Sequence, residues 1–319
     1  MDFVRQKKKR RNHMIGLSPM DGITDAAFRF ITDKYGHPDI IFTEFISARG
    51  INRHIKRLFP AIIHHKTKTP TVAQVFGADP EEIYKAFFII AAMGFDGLDI
   101  NMGCPDKSVT KNGGGAALIL QPQLARRIIL AAKKARDEWQ LIYPGRSRRT
   151  ISVKTRIGYD KPNTKEWIGQ LLDVRPDFIS LHGRTFRQLY SGAADWDEIK
   201  KAADLTRKLK LKLYGNGDIK SLKDAEEKIK TYRLDGVLIG RAALGNPWVF
   251  NDHVPTKAER FKAMIEHCEK FMELTPDLYF PSLRKHLAWY CRGFAGAAEM
   301  RNRLMKVENI NDVKLIINH

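Results

Sequence analysis

The sequence predicts an α/β protein: a (β/α)8 TIM barrel followed by a small C-terminal helical domain. Three observations predict it. Eight short apolar runs are spaced through the chain to about residue 240, amphipathic segments lie between most of them, and polar or glycine-rich sequence follows nearly every run. Strands are expected at 14–18, 40–43, 71–76, 97–101, 150–155, 178–182, 212–215 and 236–240. Segments such as 80–93, 122–139 and 221–230 carry apolar residues every three or four positions behind polar starts, as helices do. An open doubly wound sheet would show the same alternation, but eight strands with polar C-terminal ends favour closure. From about His253 the pattern stays helical to the end, and Pro255 marks a linker. The expected division is a basic arm over 1–13, a catalytic barrel over 14–252 and a helical domain over 253–319.

The chain has 319 residues, with 43% hydrophobic and 10% aromatic content, which excludes wholesale disorder. No apolar run approaches the ~18–20 residues of a membrane helix, and the N-terminus lacks the apolar stretch of a secretory signal. A soluble, cytoplasmic protein is expected, and nothing in the pattern demands more than a monomer. Cys104, Cys268 and Cys291 form neither a CxxC pair nor a zinc spacing, so no metal site is expected. Lys and Arg number 55 against 36 Asp and Glu, a net charge of +19. So basic a protein is expected to meet a polyanion, because neutralising phosphates releases counterions.

In a barrel the reactive groups lie just past the C-terminal ends of the strands. Those positions are Ser18-Pro19-Met20, Gln74, Asn101 to Cys104, Lys154 and Arg156, His182 to Thr185, Gly215 to Asp218, and Gly240-Arg241. Gly217 and Gly240 with Asn216, Asp218 and Arg241 suggest a phosphate nest after the last two strands. Lys154 could stabilise negative charge on a reduced cofactor or form a Schiff base. Gln74 and His182 could hydrogen-bond the polar edge of a flavin. Cys104, in the loop after the fourth strand, has no base beside it in sequence; a thiol near its ordinary pKa of ~8.5 suits a general acid. Cys268 and Cys291 sit in helical patterns and read as core. The run Asn112-Gly113-Gly114-Gly115 reads as a hinge that could clamp a ligand.

These motifs resemble those of the tRNA-dihydrouridine synthases, in order, from Met14 to the tail. They include Ser18-Pro19-Met20-Asp21-Gly22, Gln74-Val75-Phe76-Gly77, Asn101-Met102-Gly103-Cys104-Pro105 and Val153-Lys154-Thr155-Arg156. His182-Gly183-Arg184-Thr185 with Gln188, Tyr190 and Ala194-Asp195-Trp196 is the most specific; Asn216-Gly217-Asp218, Gly240-Arg241 and Arg284-Lys285-His286 follow. The resemblance implies FMN as the bound cofactor, NADPH as its reductant and tRNA as the substrate. It implies hydride transfer to C6 of a uridine and a proton from Cys104 to C5. Ser18, Pro19, Met20, Gln74, Lys154, His182, Asn216, Gly217, Asp218, Gly240 and Arg241 would hold the cofactor, with Asn101 and Arg184 beside the substrate base.

In the tail, Leu283, Leu287, Tyr290 and Phe294 share one helical face, while Arg284, Lys285, Trp289 and Arg292 fall mainly on another. A basic face with an aromatic suits RNA, and Arg284, Lys285 and Arg292 are the candidate contacts. From residue 253 onward 11 Lys and Arg stand against 8 Asp and Glu, only +3 of the total, so the barrel must carry most of the charge. Arg53, Lys56 and Arg57, or Arg146, Arg148 and Arg149, are the barrel candidates. Three other readings stay open: a flavin barrel reducing a small enone, a Lys154 aldolase, and a non-catalytic RNA-binding barrel.

Overall fold

The computed structural model describes residues 12–65 and 67–318; the basic tract 7–11 lies outside them. Eight parallel strands close in sequence order: β1 (Met14–Leu17), β2 (Ile41–Ser47), β3 (Thr71–Phe76), β4 (Gly97–Met102), β5 (Thr150–Arg156), β6 (Phe178–His182), β7 (Lys212–Asn216) and β8 (Gly236–Ile239). β8 pairs back onto β1 through Met14↔Gly236 and Leu17↔Ile239, so no sheet edge is left open. The expected strands match within a residue or two, except β2. That strand runs on to Ser47 through a register shift between Phe42 and Phe45. Thr43 Oγ1 fills the gap, accepting from Gln74 N at 3.0 Å and donating to its neighbour's carbonyl.

The helices are α1 (Ala26–Gly36), α2 (Ala48–Asn52), α3 (Pro80–Ala92), α4 (Lys107–Thr110), α5 (Pro122–Ile142), α6 (Thr164–Leu172), α7 (Trp196–Lys208) and α8 (Leu222–Tyr232), then α9 (Lys257–Leu274), α10 (Arg284–Tyr290), α11 (Ala297–Leu304) and α12 (Ile310–Ile317). Their starts carry the caps the sequence offers: Asp79 accepts from Glu81 N before α3, Asp195 from Glu198 N before α7, and Thr256 closes a capping box with Glu259 before α9.

Strand parity builds the site. Successive side chains point to opposite faces, so residues two apart share the lumen. Phe42, Val72, Phe178, Tyr214 and Leu238 form the lowest layer, with Phe178 and Tyr214 ring centroids 4.8 Å apart. Two residues further along their strands come Gln74, Ser180 and Asn216, and Asp99 and Ser152 follow Gln74 in register across β4 and β5. The pore is therefore plugged at its base, and polar side chains line it upward toward the strand C-termini.

The helices after β8 enclose their own apolar cluster, including Phe271, Leu283, Leu287, Tyr290 and Val313, which also takes in Ala27 and Trp248 from the barrel. Glycine makes the seat possible at two points: a Cβ on Gly36 would stand 2.1 Å from the Pro247 carbonyl, and one on Gly245 2.1 Å from that of Trp289. Tyr35 Oη donates to Glu266 at 2.7 Å across the junction. Among the described residues no helix is long and apolar enough to cross a membrane.

Candidate active site

At the C-terminal ends of the strands lies a cavity of about 630 Å³. Ser18, Pro19, Met20, Gln74, Asn101, Cys104, Lys154, His182, Asn216, Gly217, Asp218, Gly240 and Arg241 all line it, so thirteen of the residues singled out from the sequence converge. Arg156 and Gly103, also strand-end positions, line it too, and Asp21, Phe45, Asp106, Tyr190 and Leu244 join them.

On one side of the cavity, Lys154 Nζ donates to Asn216 Oδ1 at 3.1 Å, while Asn216 Nδ2 donates to the Leu238 carbonyl at 2.8 Å. Burial, then the positive charge of Arg156, pushes the Lys154 ammonium down to about 8, against the pull of Asp99. It stays mainly cationic at neutral pH. His182 is held well below its usual range by burial and then by the cations Lys154, Arg156 and Arg184. Its Nε2 faces Arg184 Nη1 at 3.2 Å; a guanidinium only donates, so that nitrogen is the bare one.

Arg184 differs from its expected place. It is 2% exposed and absent from the cavity lining. Its Nη2 donates to Asp218 Oδ2 and to the Gly192 carbonyl, both at 2.6 Å, so much of its donor capacity is spent on support of the site. Asp218 is the knot: Oδ1 takes Arg241 Nη2 at 2.6 Å, and Oδ2 also accepts from Ala194 N at 2.8 Å. Burial works to raise the Asp218 carboxyl, but Arg184, Ala194 N–H and Arg241 together hold it below its ordinary value. Replacing Arg184→Met leaves that carboxylate short of its buried partner and should cost about 3 kcal/mol of unfolding free energy, read from the urea midpoint at constant m.

Cys104 is half-buried, and Asp106 N approaches its Sγ at 3.5 Å. Burial, with Asp106 and Asp21 adding negative charge, raises the thiol above its usual pKa, so it is protonated at neutral pH. Arg156 anchors its loop: Nε donates to the Gly103 carbonyl at 2.7 Å, and Nη1 to the Thr185 and Leu189 carbonyls at 3.0 and 3.1 Å. That staple links the Cys104 loop to the loop carrying Tyr190.

The glycine run is a seat for this loop. Gly115 has φ +57, and a Cβ there would lie 2.7 Å from the Cys104 carbonyl, while Ala116 N donates to that carbonyl at 3.0 Å. Gly115→Ala should therefore destabilise the fold by about 1–3 kcal/mol and change Cys104 thiol reactivity, measured together by denaturation and alkylation. An unaltered thiol would show that the seat is unimportant.

The three tail cations separate. Arg284 is spent within the tail, with Nε donating to the Val307 carbonyl at 2.8 Å and the guanidinium paired to Glu308. Lys285 is exposed beside the cavity rim, its Nζ 3.3 Å from where a Gly22 Cβ would stand. Arg292 is exposed as a residue, but partial burial of its guanidinium, and then the charge of Arg260 nearby, hold it below its usual pKa. Trp289 is half-buried with its backbone against Gly245, closer to a packing role than to a free stacking platform. Arg148 and Arg149 precede β5, at the barrel end opposite the cavity, where Arg148 pairs with Asp177 at 2.9 Å.

Asp99 and Ser152 went unnoticed in the sequence. Both lie two residues before a recognised site residue, Asn101 and Lys154, and so on the same inward parity, which was the signal available.

A closed eight-stranded barrel with a ligand-sized, charged cavity at the strand C-termini defines the (β/α)8 class of site-bearing proteins. Within it the chain belongs to the dihydrouridine synthase family, whose model matches residues 16–318. Among curated relatives, “Probable tRNA-dihydrouridine synthase 1” of Synechocystis sp. is 32% identical over 310 residues, covering 93% of this chain and 83% of that one. “Probable tRNA-dihydrouridine synthase” of Staphylococcus aureus is 31% identical, covering 94% and 91%, and “Probable tRNA-dihydrouridine synthase 2” of Bacillus subtilis is 31% identical, covering 94% and 92%. A solved 2-naphthoyl-CoA reductase complex superposes with a TM-score of 0.51 at 13% identity, covering 74% of this chain and 49% of that one, a likeness of fold alone.

Proposed function

We propose that this chain is a tRNA-dihydrouridine synthase that reduces the C5–C6 double bond of specific uridines, using bound FMN and NADPH as reductant. The observation that carries this reading is one cavity holding a protonated thiol, a buried ammonium and a glycine-rich polar end together.

The residues present fit FMN. The cavity volume lies within the range of cofactor sites. At the glycine end Gly217 has φ +131 and a Cβ there would stand 2.6 Å from the Ala194 Cβ, so only glycine fits that turn of the cavity wall. Gly217, Gly240 and Arg241 would hold the phosphate, with Asn216 and Asp218 shaping that end. Ser18, Pro19 and Met20 would pack beside the ring, and Gln74, Lys154 and His182 would meet its polar edge. When bound, FMN supplies the hydride destined for C6 of the uracil ring. Lys154 contributes a fixed positive charge where negative charge develops. Cys104 Sγ–H gives its proton to C5. Asn101 holds the Cys104 loop and faces the same cavity; Lys285 and Arg292, from the tail, lie where RNA phosphates would approach. A cytoplasmic monomer is sufficient for this chemistry.

The test is the visible spectrum of the purified protein, followed by anaerobic NADPH. Flavin bands that bleach, with dihydrouridine appearing in added tRNA, are the expected result. A colourless protein that takes up no FMN sinks the proposal.

A further inference from the structure

Below the cavity floor, four side chains form a directed chain of hydrogen bonds. Ser152 Oγ donates to Asp99 Oδ1 at 2.6 Å, and Gln74 Nε2 donates to Asp99 Oδ2 at 2.7 Å. Asn101 Nδ2 donates to Gln74 Oε1 at 2.9 Å. Asn101 Oδ1 then accepts the backbone N–H of Gly103 at 3.0 Å and of Cys104 at 2.8 Å. Ser152 and Asp99 are fully buried, Gln74 is 1% exposed and Asn101 6%.

The direction of the chain is set at both ends: the Gly103 and Cys104 backbone N–H groups can only donate, and so require Asn101 Oδ1, while Asp99 closes the other end. An ionised carboxylate accepts and cannot donate, so Gln74 must present its NH2 to Asp99. That turns Gln74 Oε1 toward Asn101, which can answer only with its own NH2. Asn101 Oδ1 is thereby aimed at the Cys104 loop. Reversing either amide would set oxygen against oxygen in a buried site, at a cost of about 1–3 kcal/mol per unsatisfied group. Burial raises the Asp99 carboxyl to about 6, while the hydrogen bonds from Gln74 and Ser152 and then the Lys154 cation favour its charged form.

We propose that Asp99 is a positioning residue: through Gln74 and Asn101 it orients the loop that presents the Cys104 thiol. The relay couples an amide at the cofactor end of the cavity to the proton donor. The inference rests on the reading of Cys104 as the acid, but its test does not need turnover.

Cys268 and Cys291 are buried, so alkylation of the folded protein by iodoacetamide reads Cys104. Asp99→Ala should alkylate about tenfold faster than wild type at pH 8, since a loosened loop hydrates the thiol and lowers its pKa. Asp99→Asn should stay within about twofold, because the asparagine oxygen still accepts from Gln74 while its amide donates to Ser152 Oγ. Ser152→Ala, which leaves the Gln74 link intact, should react like wild type. If Asp99→Ala does not fold, Gln74→Met breaks the next link and should give the same acceleration. A wild-type rate in the broken-relay variant overturns the proposal, as does equal acceleration by Ser152→Ala. In the loaded enzyme Asp99→Ala should lower kcat for tRNA with KM unchanged, and Ser152→Ala should not. Faster alkylation of a chain that forms no dihydrouridine would keep the relay and discard the activity.

Discussion

Cys104→Ala should lower tRNA reduction by about 10²–10⁴-fold, the usual contribution of a general acid, while leaving flavin binding and tRNA affinity near wild type. The substitution removes only the long Asp106 N–H contact to the sulfur; the backbone bonds that hold the loop to Asn101, Arg156 and Ala116 all survive it. The thiol's pH dependence has a definite sign. Its pKa is raised above the ordinary thiol value, first by burial and further by Asp106 and Asp21. An acid acts only when protonated, so turnover limited by this step should be flat through neutrality and fall as pH rises through that raised value. Single-turnover oxidation of reduced enzyme by tRNA, followed at the flavin band from pH 6 to 10, measures both effects. A variant retaining full speed would assign the proton to solvent.

Strand parity explains both what was legible in the sequence and what was not. The eight strands and the polar residues at their ends could be read because apolar runs, helical periodicity and barrel topology each mark the same positions. Asp99 was hidden inside an apolar run whose end drew notice, although its neighbour two residues on was recognised. Arg184 lies in the most specific motif, yet it holds Asp218 and the Gly192 carbonyl. A motif marks a constrained position without saying whether the constraint is contact or support. Gly115 read as a hinge because flexibility is glycine's commonest use; the close approach to the Cys104 carbonyl depends on residues eleven apart meeting through the fold. Arg284 likewise looked free until Val307 and Glu308, far along the chain, were brought against it.

The largest solution effect should be that of salt on tRNA binding. Engagement of ~6–10 phosphates would weaken affinity by about 10³–10⁵-fold between 50 and 200 mM salt. The structure divides the basic surface into two ends with different expected slopes. At the cavity end, exposed Arg53 and Lys56 follow β2, Lys107 and Lys111 flank the Cys104 loop on and just after α4, and Lys285 comes from the tail. No ion pair among the described residues engages Arg53, Lys56, Lys107 or Lys111, so their charge is available to phosphate. At the far end Arg148 is already paired with Asp177, and Arg149 lies 3.9 Å from Asp96. Replacing Lys107 or Lys111 by Ala should therefore reduce the slope of log K against log salt by about 1 each, while Arg148→Ala leaves it unchanged. A uracil buried in folded tRNA must leave its stack to reach the cavity, and the enzyme has to offset that cost with contacts around the rim. A nearly flat salt response would remove the polyanion, and with it RNA as substrate, leaving a barrel that reduces a small molecule. Equal slopes for substitutions at the two ends would instead keep the RNA and move its path off the rim.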